Sequence, residues 1–256
     1  MSPDRLVVLA EEVAREAGAQ LREAYGGTRS AVSSKSSPTD MVSEADRAAE
    51  ELIRSRLAAA RPEDGMLGEE GSDSPGTSGL RWVVDPLDGT TNFLLGVPQW
   101  AVSVAVQEGE QTLAGAVFDP LRDECWTATR DGDALLDGAR IRASERTDLA
   151  TALVATGFGY SAEVRAAQAR VAEELLPRVR DIRRFGAAAL DLAWTAAGRF
   201  DAYYERGTKL WDVAAGGLIC ERAGLEVRAL APAPPAEDGI LVAPPALIDE
   251  IAALVA

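Results

Sequence analysis

The chain has 256 residues, enough for one sizeable core, and its formal net charge of −15 argues against nucleic acid and anionic membrane surfaces as partners. It contains no histidine, which excludes a Ser-His-Asp triad, a phosphohistidine and a His-ligated zinc site, and leaves oxygen ligands that favour hard cations such as Mg²⁺ or Mn²⁺. The absence of a long apolar run, an acidic amphipathic N-terminus and only two cysteines predict a cytoplasmic protein without a membrane span.

The first part of the chain alternates helical and strand-like patterns. Apolar residues at helical spacing predict a helix over residues 4–25, and the Gly- and Ser-rich segment after it predicts a loop or a short hairpin. Ser43 is a candidate N-cap for a second helix over residues 44–60. The apolar run LRWVVD then predicts a buried strand over residues 80–85, ended by Pro86.

The second part continues the alternation. Apolar residues on both sides of Gly109 predict a β-hairpin, and a helix is predicted from Ser161 to Leu176, stopped by Pro177. A strand leads into a helix over residues 187–198, and another strand precedes a small-residue helix closed by Gly224. A last strand and a terminal helix follow. Alternating blocks of helix and sheet predict an α/β-layered protein.

The segment RWVVDPLDGTTNF places Asp85 and Asp88 three residues apart at the end of a buried strand. Burying two like charges costs free energy unless a positive charge lies between them. A turn at Pro86 could aim both carboxylates at one point, and Gly89 and Thr90 could open a helix or nest whose N–H groups bind an anion. The segment could therefore supply cation ligands and a phosphate cradle, with an ordinary acidic turn as the simpler alternative.

Other polar residues each have a plain structural alternative when taken alone. Glu69 and Glu70 could form a solvated loop, and Asp212 could be a helix N-cap. Asp46 occupies the acidic position of a capping box. Lys35 lies in a polar loop and carries no signal by itself. Only their combination points to a site.

Taken together, KSSPTDMVSEAD, GEE, WVVDPLDGTTNF and DAYYERGTKLWDVAAGG resemble the motifs of the inositol monophosphatase family in order and spacing, and the resemblance covers almost the whole chain. That family comprises Mg²⁺-dependent, lithium-sensitive phosphatases. The resemblance implies an α-β-α-β-α sandwich with lobes over about residues 1–142 and 143–256, the site between them, and a homodimer. It also implies hydrolysis of inositol 1-phosphate, or another small phosphorylated polyol or sugar, by attack of metal-activated water.

The resemblance also assigns roles to residues. The ligands of two to three Mg²⁺ ions (Mn²⁺ being a possible substitute) would be Glu69, Asp85, the backbone carbonyl of Leu87, Asp88 and Asp212. Asp85 would bridge two of the ions, which supplies the positive charge that the paired aspartates need. The residues that would support the attack are Glu69, Thr90, Asp46, Glu70 and Lys35. The substrate contacts would be Asp88, Gly89, Thr90, Ala188, Glu205 and Asp212.

Alternatives stay open at this point. DPLDGTT also resembles haloacid dehalogenase-type phosphatases, which use an aspartate nucleophile, and a non-catalytic metal-binding interaction protein is a further alternative. Within the family, the substrate could be fructose 1,6-bisphosphate, histidinol phosphate or a 3′-phosphoadenosine nucleotide. The spacing from Glu205 to Asp212 favours inositol phosphate, while the arginines of RDIRRFG could approach a second anionic group. Leu95, where the family often has histidine, and the run Ala223-Gly224-Leu225 depart from the family pattern and bear on substrate fit.

Overall fold

The computed structural model describes residues 2–25, 32–34, 41–71 and 73–256. The helices of these residues are α1 (Pro3–Ala24), α2 (Glu44–Ala60), α3 (Thr90–Leu95), α4 (Ala162–Leu175), α5 (Ala188–Ala196), α6 (Leu210–Ala223) and α7 (Ile248–Val255), with short 3₁₀ turns at Leu149–Thr151 and Leu176–Arg178. The strands are β1 (Val32–Ser34), β2 (Met41–Ser43), β3 (Gly65–Gly68), β4 (Leu80–Asp88), β5 (Ala101–Glu108), β6 (Gln111–Asp119), β7 (Glu124–Thr129), β8 (Leu135–Leu136), β9 (Ala139–Arg140), β10 (Leu153–Thr156), β11 (Asp181–Arg183), β12 (Ala202–Arg206), β13 (Glu226–Leu230) and β14 (Gly239–Ala243).

The first large sheet has seven strands in the order β3-β4-β5-β6-β7-β8-β9. Strands β3 and β4 are parallel, and each later pair is antiparallel. Helices α1 and α2 pack on one face of this sheet. The buried stripe of α1 repeats every three or four residues and includes Leu6, Ala10, Val13, Ala17 and Leu21. This spacing puts one side of the helix against the sheet, as an amphipathic helix requires.

Helices α5 and α6 cover the other face and separate it from the second sheet. Small residues allow this close layer: a Cβ on Gly115 of β6 would lie 2.9 Å from the Ala215 Cα of α6, and one on Gly216 would lie 2.7 Å from the Leu192 Cβ of α5. The second sheet has the order β11-β10-β12-β14-β13, and α4 and α7 cover its outer side. The layers are therefore α-β-α-β-α, and the predicted fold class is confirmed.

Strand β4 differs from its prediction at Pro86. The strand does not end there but continues to Asp88 through a break in the ladder: Asp85 pairs with Ser103, whereas Asp88 pairs with Ala101. Two steps along β5 are thus matched by three steps along β4, so β4 carries one extra residue there, which is a β-bulge. Proline, which has no N–H to give to the ladder, is tolerated at a bulge. A bulge also bends the strand and redirects its side chains.

Most predicted elements are confirmed within one or two residues. The segment after α1 contains the antiparallel strands β1 and β2, and the hairpin of β5 and β6 turns at Gly109, whose φ is 61°. Ser161 caps α4, because its Oγ accepts a hydrogen bond from the Val164 N–H at 3.1 Å. Pro177 does not simply stop that helix but lies inside the 3₁₀ turn that continues it. Strand β13 was not predicted.

Two residues were candidate helix N-caps, Asp212 and Ser43. Asp212 is not an N-cap: it is the third residue of α6, and its Oδ2 accepts a hydrogen bond from the N–H of the N-cap residue Lys209 at 2.6 Å. The Ser43 side chain lies outside the described residues, so its capping role stays a prediction, as does a lobe boundary near residue 142. Among the described residues, no helix has both the length and the apolar character that a membrane span needs.

Candidate active site

One cavity of about 470 Å³ brings most of the predicted site residues together. Those that line it are Glu69, Asp85, Leu87, Asp88, Gly89, Thr90, Ala188, Glu205 and Asp212. They come from the ends of β3, β4 and β12 and from the first turns of α3, α5 and α6. Asp46 and Glu70 are not among the lining residues: Asp46 contacts Thr90, and Glu70 directly follows Glu69. Lys35 lies outside the described residues. The cavity therefore lies where both sheets and the central helix layer meet.

Asp85 is held by the bulge of β4. Its Oδ1 accepts a hydrogen bond from the Leu87 N–H at 2.9 Å, and the residue is almost fully buried. Burial raises the pKa of the Asp85 carboxyl well above its ordinary value, and the charges of Glu69, Asp88 and Asp212 raise it further. The carboxylates are therefore close enough to repel one another, as their spacing in the sequence suggested.

Asp88 joins the first sheet to the central helix layer. Its Oδ1 accepts a hydrogen bond from the Ala188 N–H at 3.0 Å, and its Oδ2 accepts from the N–H groups of Ala189 and Leu190 at 2.8 and 3.3 Å. These are the free N–H groups at the start of α5, where a negative charge is favoured. Burial raises the Asp88 pKa to about 7, although these backbone hydrogen bonds oppose the shift.

The acidic residues fit a hard divalent cation by their chemistry. In the part of the chain that is described, no three Asp, Glu or Cys side chains are arranged to hold an ion as they stand. Asp88 is turned towards α5 and Asp212 towards the Lys209 N–H. The donor set is nevertheless all oxygen, and burial followed by the charge of Asp88 raises the Asp212 pKa well above its ordinary value. A cation among these groups would relieve that repulsion, and oxygen ligands suit Mg²⁺ or Mn²⁺.

Thr90 faces the cavity from the start of α3, and Asp46 contacts it from behind. The Thr90 Oγ1 lies 3.0 Å from Asp46 Oδ1 and 3.1 Å from the Leu87 carbonyl oxygen, so the hydroxyl can donate a hydrogen bond to either of these acceptors. Gly89, which precedes Thr90, has a φ of 91°, and a Cβ there would lie 2.9 Å from the Gln99 carbonyl oxygen. Only glycine fits this corner, because both the conformation and the space exclude a side chain.

Glu205 forms another part of the cavity wall. Strands β10 and β12 are parallel with Thr156 opposite Tyr204, so Gly157 follows directly beside Glu205. A Cβ on Gly157 would collide with the Glu205 carboxylate, which therefore occupies the space of the missing side chain. The Tyr203 hydroxyl donates a hydrogen bond of 2.6 Å to Glu205 Oε2.

The surroundings of Glu205 have opposite effects on its ionisation. Burial raises the Glu205 pKa, while the Tyr203 hydrogen bond and the charge of Arg184 act in the opposite direction. Arg184 also lines the cavity, and its Nη2 donates a long hydrogen bond of 3.4 Å to the Phe158 carbonyl oxygen. The two adjacent arginines of RDIRRFG therefore have different partners. Arg184 reaches the cavity, whereas Arg183 forms an ion pair with Asp181 at 2.5 Å.

Two buried acids near the site were not predicted. Glu50 lies one turn after Asp46 on α2, among the apolar residues Ala49 and Ile53, and an acid on a buried helix face is the signal that could have revealed it. Asp191 lies in the first turn of α5, fully buried. Burial, followed by the charges of Glu205 and Asp88, raises the Asp191 pKa well above its ordinary value.

The comparisons with known proteins agree with this geometry. The model of the inositol monophosphatase family matches residues 2–256. The inositol-1-monophosphatase SuhB of Mycobacterium tuberculosis is 44% identical over 270 residues, which cover 98% of this chain and 93% of that protein. The crystal structure of the extragenic suppressor protein suhB from Bartonella henselae superposes with a TM-score of 0.91 at 35% identity and covers 98% of each chain.

Relatives of this chain carry more than one kind of name. The Nus factor SuhB of Xylella fastidiosa is 46% identical over 186 residues, which cover 72% of this chain and 67% of that protein. The Xylella fastidiosa relative is named as a Nus factor, whereas the Mycobacterium tuberculosis relative is named for a phosphatase activity.

Proposed function

We propose that this chain, which belongs to the inositol monophosphatase family, hydrolyses inositol 1-phosphate to inositol and phosphate in a Mg²⁺-dependent and lithium-sensitive reaction. Membership of the family makes the chain a phosphoric monoester hydrolase, so the haloacid dehalogenase-type alternative is set aside. The observation that carries the proposal is one cavity lined by the clustered carboxylates Glu69, Asp85, Asp88 and Asp212 together with Thr90 and Glu205.

The carboxylate side of the cavity would hold the metal ions. The residues that would hold them are Glu69, Asp85, the Leu87 carbonyl, Asp88 and Asp212. When bound, such ions make water a stronger nucleophile and stabilise negative charge on the phosphate ester and the departing oxygen. The protein itself has an excess of negative charge, and the family's phosphate esters are anions, so cations on this side also reverse the local sign of the field.

Thr90 and Asp46 would orient the attacking water. When the Thr90 hydroxyl donates a hydrogen bond to Asp46, its oxygen lone pairs are left to accept a hydrogen bond from water in the cavity. The Glu69 carboxylate lines the same cavity and would be the second acceptor for a water proton. Gly89 and Thr90 would hold the phosphate, and Glu70 and Lys35 remain predicted supporting residues.

Glu205 favours a hydroxyl-bearing substrate over a second phosphate. An ionised carboxylate accepts hydrogen bonds and repels anions, so the Glu205 wall suits the ring hydroxyls of a polyol. Ala188 lines this part of the cavity, but its N–H is already given to Asp88, which leaves its remaining atoms for the substrate. Arg184 keeps a bisphosphate substrate among the outcomes to be tested. A cytoplasmic location, a homodimer and the lack of a nucleic-acid partner stay predictions.

The test is a substrate panel. Phosphate release is measured from inositol 1-phosphate, fructose 1,6-bisphosphate, histidinol phosphate and 3′-phosphoadenosine 5′-phosphate, each with Mg²⁺, with EDTA and with added Li⁺. Asp85→Asn is the inactive variant, and Asp131→Asn, at an exposed position, is its matched control.

Preference for inositol 1-phosphate together with a need for Mg²⁺ supports the proposal. Preference for another ester contradicts the role of Glu205 and leaves the metal side intact. Mg²⁺ binding without hydrolysis of any ester would favour an interaction protein on the same fold.

A further inference from the structure

Helix α2 presents two buried acids, one turn apart, to the back of the site. Asp46 contacts Thr90, as described above, whereas Glu50 has no assigned role. Glu50 is 2% exposed and lies close to the acidic pair Glu69 and Glu70. Burying a further carboxylate beside two acids is unfavourable unless its oxygens are well used. Its contacts therefore indicate what it does.

The Glu50 carboxylate holds the backbone of the segment that carries Glu69. Its Oε2 accepts a hydrogen bond from the Glu70 N–H at 2.8 Å. A Cβ on Gly68 would collide with the same oxygen and would lie 2.6 Å from the Glu50 Cδ. The carboxylate thus fills the space left by the missing Gly68 side chain and touches the segment on both sides of Glu69.

The sheet alone does not fix this segment. Gly68 is the last residue of β3 and pairs with Val84, and the Glu69 N–H still donates to the Val84 carbonyl oxygen at 3.1 Å. The next N–H, that of Glu70, has left the ladder and is bonded to Glu50 instead. The strand therefore holds Glu69 from one side and α2 holds it from the other, while the Glu69 side chain faces the cavity.

We propose that Glu50 is a positioning residue, which fixes the backbone of Gly68–Glu70 and so sets the direction in which Glu69 presents its carboxylate to the cavity. This inference rests on the proposed function in one respect, because it takes Glu69 as a cation ligand. Groups that orient metal ligands from outside typically contribute about 10- to 100-fold in metal affinity or activity. The steric fit between Glu50 and Gly68 makes the inference testable as a pair.

The experiment is a double-mutant cycle with Glu50→Ala, Gly68→Ala and both together, measured in the full chain. Mn²⁺ affinity by calorimetry and the Mg²⁺ concentration for half-maximal phosphate release are both expected to weaken by about 10- to 100-fold in Glu50→Ala. Gly68→Ala is expected to do the same in the wild-type background and to add little in the Glu50→Ala background, where the carboxylate is gone. Glu50→Gln keeps an acceptor oxygen for the Glu70 N–H and is expected to restore most of the affinity.

A matched control and an ion-free measurement keep the test decisive. Glu51 is the next residue on α2, is exposed and pairs with Arg54, so Glu51→Ala is expected to change neither affinity nor activity. Amide hydrogen exchange of residues 68–70 needs neither ion nor substrate, and it is expected to be faster in Glu50→Ala than in Glu51→Ala.

The inference is overturned if exchange is unchanged, if Gly68→Ala has the same effect in both backgrounds, or if Glu50→Ala lowers the melting temperature without changing Mn²⁺ affinity. Failure of the proposed function has a different signature. There, wild type hydrolyses no inositol phosphate while the exchange result still reports on Glu50.

Discussion

Two glycines of the site, Gly68 and Gly157, each leave room for a carboxylate, but the two carboxylates do different things. Glu50 lies against Gly68 behind the cavity and accepts a hydrogen bond from a backbone N–H. Glu205 lies against Gly157 in the cavity wall and is held by a hydroxyl group instead. The first arrangement fixes a stretch of backbone and should affect every substrate alike. The second fixes a side chain that faces the substrate and should affect the choice among substrates.

Asp88 lines the cavity and joins the first sheet to the start of α5, so changing it should have the largest effect. In Asp88→Asn, an NH₂ group replaces one of the oxygens that accept from the start of α5, and one of the carboxyl groups that line the cavity is lost. We expect kcat for phosphate release to fall by at least about 100-fold, the usual scale for removing a preorganised charged group. Steady-state kinetics at saturating Mg²⁺ measures this, with circular dichroism to confirm folding. A kcat close to that of Asp131→Asn would contradict the role of Asp88.

Gly157→Ala should displace the Glu205 carboxylate and leave the contact between Glu50 and Gly68 unchanged. The new methyl group and the Glu205 carboxylate cannot occupy the same space, so the carboxylate must move. We expect kcat/KM for inositol 1-phosphate to fall by up to about 100-fold, as for a small misplacement of a positioning group. An aryl phosphate without ring hydroxyls should be hydrolysed almost as before.

Gly217→Ala is the matched control for that experiment, because a Cβ at residue 217 meets nothing closer than Ile240 Cδ1 at 3.9 Å. Equal losses for both substrates in Gly157→Ala would mean that Gly157 supports the fold in general. The separation between the two sides of the site would then not hold.

The sequence predicts the parts of this site that are local. Asp85, Asp88, Gly89 and Thr90 lie within six residues of one another, so their spacing and the glycine are visible without a structure. The bulge at Pro86 is not visible, because it depends on the register between β4 and β5 rather than on β4 alone.

Contacts between distant segments were also beyond the sequence. Gly157 meets Glu205 only because β10 and β12 pair in parallel with a particular register. Glu50 follows Asp46 by one helical turn, but an acid on an amphipathic helix is usually a solvated residue. Its role emerges only when Gly68 is placed against it.

Asp201 is a further carboxylate that is held by hydrogen bonds, but it is not among the residues that line the cavity. Its oxygens accept hydrogen bonds from the Leu153 N–H at 2.7 Å, the Ser144 hydroxyl at 2.5 Å and the Arg146 Nε at 2.9 Å. Burial opposes ionisation, yet these hydrogen bonds lower the Asp201 pKa below its ordinary value of 3.8. Its stabilisation is therefore present above pH 3.8 and is lost as the pH falls through the lowered pKa.

Asp201→Asn should reduce the free energy of unfolding by about 1–3 kcal/mol at pH 7, because a buried N–H and a guanidinium lose a charged acceptor. The loss should shrink as the pH falls below 3.8. Urea unfolding at pH 7 and at low pH measures it. An equal loss at both pH values would mean that the Asp201 charge is not what holds these groups.

Asp191 is the opposite case and gives the smallest expected effect. It is fully buried, and no described residue donates a hydrogen bond to either of its side-chain oxygens. Its pKa is raised, chiefly by burial, so its stabilisation is present below the ordinary value of 3.8 and is lost as the pH rises towards the raised pKa. The side chain introduced by Asp191→Asn cannot ionise, so we expect the substitution to increase the free energy of unfolding at pH 8 by about 1 kcal/mol, because an unpaired charged group costs more to bury than a neutral one.

The pH dependence distinguishes this explanation from a simple change in packing. The gain from Asp191→Asn should disappear near pH 4, whereas Asp201→Asn should show its loss most clearly at neutral pH. Melting temperatures of both variants across this range, with Asp131→Asn as the exposed control, give the comparison. If Asp191→Asn destabilises the protein equally at every pH, the carboxyl contributes through its shape alone. Burial without partners would then not be what separates Asp191 from Asp201.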